Sequence, residues 1–162
     1  MRSPIPLLTF AILLAAASAC NTSGCPDNGS SLPLAGLYSS ASGEQVGFDS
    51  IAVGGVGAPG DSLLVAPGTA CTEVYLPLRS DRTSASFFFH YDYEGIDSVI
   101  FNDTIEFHYS SFPFFASEEC GAMFRYHIER VNHTRHLIDS VVVTDSLITN
   151  ANIERIKIYF RQ

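Results

Sequence analysis

Residues 84–94, SASFFFHYDYE, decide the fold class. On a β-strand successive side chains point to opposite faces. Phe87, Phe89, Tyr91 and Tyr93 then share one face, and Phe88, His90 and Asp92 the other. The first face is wholly aromatic and the second is mixed, as expected of a strand with one side in a core and one toward water. TIEFHYS (104–110) repeats the pattern, with Ile105, Phe107 and Tyr109 opposing Glu106 and His108. So does IERIKIYF (153–160), where Ile156, Ile158 and Phe160 oppose Arg155, Lys157 and Tyr159. Strands with one apolar face belong to antiparallel sheets stacked face to face, whereas parallel α/β sheets bury both faces.

Outward from these three, β-branched and aromatic runs bounded by Gly, Pro, Asn, Asp and Ser mark strands at 34–40, 45–54, 62–66, 72–78, 84–93, 97–101, 103–110, 122–131, 138–144 and 153–160. No window holds a helical period. The expected fold is all-β, an antiparallel β-sandwich of immunoglobulin-like architecture, with a barrel as second choice. Asn102-Asp103 reads as a tight hairpin connection between two of the strands. GGVGAPGD (54–61) is a glycine-rich loop, but it lacks the Gly-Lys-Ser/Thr of a phosphate cradle. Asp followed by Ser or Thr and then an aliphatic residue recurs at Asp49, Asp61, Asp97, Asp103, Asp139 and Asp145. The structural reading is a turn that ends on Asp-Ser with a strand beginning at the aliphatic. The same tripeptide also resembles an O-glycosylation acceptor of exported Bacteroidota proteins.

The N-terminus has a different character. MRSPIPLLTFAILLAAASAC carries one positive charge at Arg2, an apolar run too short to span a bilayer permanently, and small residues leading to a cysteine. Residues 1–19 form a signal peptide. Ala17-Ser18-Ala19 suits ordinary signal peptidase, while a cysteine at the cleavage point suits lipoprotein processing. Ala17 stands where a lipoprotein signal more often has leucine. Cys20 itself, together with the polar, turn-rich stretch that follows it, favours lipidation at Cys20 and a tether over residues 20–32. Residues 33–162 then make one domain, long enough to bury a core. Loss of Arg2 leaves eight basic against seventeen acidic side chains, a formal charge of −9. That balance argues against nucleic acid or anionic lipid headgroups as partners.

Residues that could carry chemistry are scattered. His90, His108 and His127 fall on strands, and His133 and His136 in a polar connection, with no Cys-x-x-Cys or His-Glu-x-x-His spacing among them. Asp92, Glu94 and Asp97 lack the ligand spacing of a calcium loop. There is no Gly-x-Ser-x-Gly or Ser-x-x-Lys nucleophile signature, and Glu118-Glu119 reads as a solvated turn. The expectation is a protein that is not an enzyme, with neither metal nor cofactor. The most distinctive polar-free stretch outside the candidate strands is FPFF (112–115); Phe112, Phe114 and Phe115, placed between strands around Pro113, are the natural contact patch for an envelope partner protein.

Several segments, in order, carry a resemblance: Cys20 with Cys25, Asp49-Ser50, Asp61-Ser62-Leu63-Leu64, Leu76-Pro77-Leu78, Asp103-Thr104-Ile105, Ser117 through Cys120-Gly121, Ile138-Asp139-Ser140-Val141, and the closing strand 153–160. The chain resembles small uncharacterised lipoproteins of Bacteroidota classed as a domain of unknown function. It departs from them in the extra Cys71. The resemblance implies a location and a fold and no activity. With lipid on Cys20, three thiols remain and three pairings are open. The resembling family carries cysteines at the positions of Cys25 and Cys120, which implies a disulfide between those two and leaves Cys71 as a small buried hydrophobe. The functional expectation is an outer-membrane lipoprotein facing the periplasm, attached through lipid on Cys20 and acting as a non-catalytic binding or assembly module. Two alternatives stand beside it: an accessory subunit of an outer-membrane β-barrel complex, and an envelope glycan hydrolase.

Overall fold

In the computed structural model the described residues are 30–118 and 121–161. The signal peptide, nearly all of the tether, Cys20, Cys25, Glu119 and Cys120 lie outside them. The strands are β1 (Leu34–Ser39), β2 (Ile51–Gly55), β3 (Leu63–Val65), β4 (Glu73–Tyr75), β5 (Ser84–Tyr91), β6 (Asp103–Ser117), β7 (Gly121–His133), β8 (Ile138–Val143), β9 (Leu147–Ile148) and β10 (Glu154–Phe160). They form a four-stranded sheet ordered β4-β1-β10-β8 and a six-stranded sheet ordered β3-β2-β5-β6-β7-β9. All neighbours are antiparallel except β1 and β10, the first and last strands, which lie parallel in the middle of the smaller sheet. The chain is an all-β sandwich.

The alternation reads out as burial. Phe87, Phe89 and Tyr91 are buried, as are Ile105, Phe107 and Tyr109, and Ile156, Ile158 and Phe160, whereas Tyr93, expected on the same face as Tyr91, lies past the end of β5 and is exposed. Their ring contacts tie the sheets together: Phe89 of the larger sheet lies 6.3 Å, centroid to centroid, from Phe160 of the smaller. Fully burying one such side chain contributes about 1.5–3 kcal/mol. Gly54 leaves room for the Phe88 ring of the neighbouring strand, from which a Cβ there would stand 2.6 Å.

Several boundaries differ from the expectation. Residues 97–101 are no strand: Val99–Phe101 is a 3-10 turn, with Val99 and Ile100 exposed. Its backbone groups bond locally, Phe101 N–H to Ser98 C=O and Asn102 N–H to Val99 C=O, so a short apolar trio is satisfied without a partner strand. Asn102-Asp103 is therefore no hairpin turn; the whole stretch between Tyr91 and Asp103 connects β5 to β6. Over 45–54 the strand begins only at Ile51, while Gln45 and Phe48 make isolated bridges to Tyr38 and Cys71. His133 ends β7 and is not a loop residue.

The largest difference positions the candidate site. Phe112, Phe114 and Phe115 are not between strands but inside β6, which runs on to Ser117 and pairs with β7 throughout. Pro113 ordinarily breaks a strand because it cannot donate to a ladder. Here β5 has already ended, its Ser84 standing opposite His108, so beyond that point β6 has β7 on one side only. A proline on a free edge costs no ladder bond. Gly121, at φ +71°, opens β7 after the turn.

Candidate functional site

The sandwich has two chemically distinct ends, fixed by strand direction. One end gathers Tyr91, Asp103, Ile138 and Phe160; the other gathers Leu34, Tyr75, Ser84, Ile148 and Glu154.

At the first end sits Asp103, fully buried. Its Oδ1 accepts hydrogen bonds from the Thr134 hydroxyl (2.6 Å) and the His136 backbone N–H (2.8 Å). Its Oδ2 accepts from the Tyr91 hydroxyl (2.7 Å) and the backbone N–H groups of Leu137 (2.7 Å) and Ile138 (2.8 Å). Burial pushes this carboxyl up, but the bonds from Thr134, Ile138, His136 and Tyr91 outweigh it and hold it below the usual carboxylate range. Tyr91, buried beside the same carboxylate, is pushed well above an ordinary tyrosine. A carboxylate whose oxygens already accept five donors has little capacity left for proton transfer. It is a latch that fastens the β7–β8 connection to β5 and β6. The sequence marked Asp103 as a turn residue after Asn102, as one of six Asp-Ser/Thr-aliphatic tripeptides and as part of the family resemblance, but not as a buried site. Nothing local separates it from the other five, because its donors come from Tyr91 and from Thr134–Ile138.

The histidines do not converge. Ser84 stands opposite His108, which puts His90 six residues further along β5, about 20 Å away. His90 instead meets Asn102 (Nδ1 to Oδ1, 2.8 Å) and Asp97 (Nε2 to Oδ1, 3.1 Å). His108 meets Glu106 at 3.2 Å, and His127 meets the Ser146 hydroxyl at 3.2 Å. Among the described residues no three His, Cys, Asp or Glu side chains are grouped as metal ligands. Cys71 carries a free thiol packed against the core, and burial pushes its pKa up.

At the second end the chain reaches the domain and the β6–β7 ribbon leaves it. Pro33, just before β1, accepts a hydrogen bond from Leu76 N–H. From there residues 76–80 cross to the ribbon's base, where Tyr126 donates to Leu78 C=O (3.2 Å), Arg79 N–H to Tyr109 Oη (3.1 Å) and Ser111 to Ser80 C=O (3.0 Å). Tyr109 and Tyr126 stack edge to face at that base, 5.5 Å apart. Beyond it, β6 and β7 pair only with each other. On one side of the ribbon Phe112 lies opposite Arg125 and Phe114 opposite Met123; the Arg125 guanidinium stacks 3.8 Å over the Phe114 ring. On the other side, continuous with core-facing Tyr126, Pro113 lies opposite Phe124 and Phe115 opposite Ala122. Phe115 is 68 % exposed, Phe124 40 % and Phe112 39 %. Phe124 was missed by sequence reading, which had no means of pairing it with Pro113 until the ribbon was known.

Beside the ribbon's base a groove of about 500 Å³ lies between the glycine-rich loop 55–59 and Arg79, Arg82 and Phe87. No carboxylate or histidine is among the described residues that line it. Arg79 is held by Asp81 at 2.9 Å.

A family model described as "Family of unknown function (DUF6452)" matches residues 50–160. Neither the curated proteins nor the solved structures contain a match to this chain.

Proposed function

The chain belongs to the DUF6452 family of unknown function, and from that premise we propose that it is a membrane-tethered, non-catalytic binding module of the cell envelope, lipid-modified at Cys20 and facing the periplasm from the outer membrane. One observation carries the reading. The aromatic ribbon, with Phe112, Phe115 and Phe124 exposed, stands on the end of the sandwich at which residue 30 joins the domain. A tether at Cys20 therefore holds the contact end toward the membrane. The polar side chains support the non-catalytic half, since the histidines are dispersed and the one fully buried carboxylate among the described residues is saturated with donors. Cys25 and Cys120 pair, in the same reading, to brace the tether against the ribbon's turn.

Membrane fractionation and mass spectrometry of the mature N-terminus test it. The wild type is expected in membranes with an acylated N-terminal cysteine, and Cys20→Ser in the soluble fraction or unprocessed. A soluble wild-type protein with unmodified Cys20 sinks the proposal. A second reading, accessory subunit of an outer-membrane β-barrel complex, is favoured by the same exposed aromatics; capture of one barrel protein, lost on changing Phe112 and Phe115 to Ser, would support it.

A further inference from the structure

Resting on the reading that Cys20 tethers the chain to a membrane, we propose that the β6–β7 ribbon is a lipid-contact foot, with the open face of Pro113, Phe115, Ala122 and Phe124 lying in the headgroup region of that same bilayer. Position selects the occupant. Ten residues separate Cys20 from Ser30, a span of at most about 35 Å. The ribbon, from Ser111 to Ser117, projects about 20 Å from the end where residue 30 arrives. Even fully extended the tether exceeds the ribbon by only about 15 Å, and any less extended tether brings the ribbon to the lipid before the rest of the domain.

The chemistry of the two faces fixes how it lies. The Pro113, Phe115 and Phe124 face continues the core side of the larger sheet past the last residue that the smaller sheet covers, and beyond Ser111 it is apolar as far as Phe115 and Ala122. The opposite face also holds Phe112, Phe114 and Met123, but the Arg125 guanidinium lies on Phe114, and that cation sets this face toward phosphate and water. Glu118 is exposed at the turn. A carboxylate there opposes tip-first insertion, so the ribbon rests on its side, its aromatics reaching headgroup depth and no deeper. Amphipathic elements bind membranes in this manner, with affinity set by the apolar area they bury in the interface. A second, weak contact beside a lipid chain also orients a domain that a polar tether alone leaves free to turn.

The chain contains no tryptophan, so one introduced indole reports its own depth. Phe115→Trp places it on the foot. Val99→Trp places it on a residue 76 % exposed at the opposite end of the sandwich. Each variant is reconstituted as the lipidated chain in zwitterionic phosphatidylcholine vesicles containing brominated phosphatidylcholine, since the acidic chain disfavours anionic headgroups. Each is also made from residue 20 onward with Cys20→Ser and an N-terminal hexahistidine, held on vesicles of nickel-chelating lipid. In both formats the indole at 115 is expected to shift to the blue and lose most of its emission to bromine near the lipid carbonyls, while the indole at 99 stays unquenched. Unquenched emission at 115 on the nickel-held chain overturns the foot whatever the fate of Cys20, and leaves the aromatic face to a protein partner. Equal quenching at both positions overturns it too. Quenching at 115 on nickel vesicles together with an unmodified Cys20 in cells leaves the foot standing and removes the lipid anchor.

Discussion

Asp103→Asn changes one atom at the most saturated position of the molecule. An asparagine offers one acceptor oxygen and one NH2 group in place of two carboxylate oxygens. Placing its oxygen at the Oδ2 position keeps Tyr91, Leu137 and Ile138 bonded and turns the NH2 toward Thr134 and the His136 N–H. The Thr134 hydroxyl can rotate to accept, but the backbone N–H of His136 cannot, and it is left facing another donor. The opposite orientation is worse, stranding both Leu137 and Ile138. In either case the surviving bonds lose their charge assistance. Breaking a buried charged network costs about 3–5 kcal/mol, a large share of the 5–15 kcal/mol typical of a whole domain. For roughly 130 ordered residues that is a fall in Tm of about 12–20 °C, at about 4 °C per kcal/mol. Asp103→Ala strands all five donors and is expected not to fold.

Urea titration followed by circular dichroism measures the loss, and its pH dependence identifies the cause. The folded carboxyl titrates below its ordinary value of 3.8. Its contribution is fully present above that unfolded-state value and is lost as pH falls through the lower, folded-state one. The gap between wild type and Asp103→Asn should therefore be constant near neutrality and shrink below pH 3.8. A variant within about 1 kcal/mol of wild type, the size of an ordinary surface change, or a gap that does not vary with pH, would refute the latch.

Two further outcomes follow from packing and from thiols. Gly54→Ala drives a Cβ into the Phe88 ring at 2.6 Å and is expected to cost about 1–3 kcal/mol, as overpacking does; an unchanged urea midpoint would show that the ring swings aside freely. Peptide mapping without reduction should return a Cys25–Cys120 crosslink and a Cys71 thiol that alkylates slowly until the protein is denatured, because burial raises its pKa; a crosslink to Cys71 would overturn the pairing.

Strand alternation was legible because it depends on residues two apart. Phe87, Phe89 and Tyr91 needed no knowledge of their neighbours to be assigned to the core, and the same holds for Ile156, Ile158 and Phe160. What failed depended on pairing. IDSVIF over 96–101 has the composition of a strand, yet with Asp103 drawn in against Tyr91 the segment closes on itself as a turn and leaves Val99 and Ile100 in water. FPFF has the composition of a break, yet the early end of β5 turns that part of β6 into an edge, where Pro113 is harmless. Of the six Asp-Ser/Thr-aliphatic tripeptides, Asp49, Asp61 and Asp145 do precede strands beginning at Ile51, Leu63 and Leu147. Asp103 instead begins a strand itself and Asp139 lies within one.

The two pairing errors share a physical origin and bear on function together. A strand that outruns its neighbours exposes a face that a complete sheet would have covered. β6 outruns β5 at the end where the chain arrives, and the uncovered residues there are Phe115 and Phe124 rather than the charged side chains with which edges are ordinarily blunted. At the other end, where β6 begins, the comparable hazard of a long unpaired connection is met by burying Asp103 among five donors from the surrounding segments. One end of the sandwich is thus closed by a polar lock, and the other, where residue 30 joins the domain, is left open and apolar. If the open end were merely loose structure, changing Phe115 to Ser would leave membrane contact unaltered and only improve solubility. If it is a contact surface, the same change should leave the urea midpoint in place, since the ring is 68 % exposed, and abolish the contact.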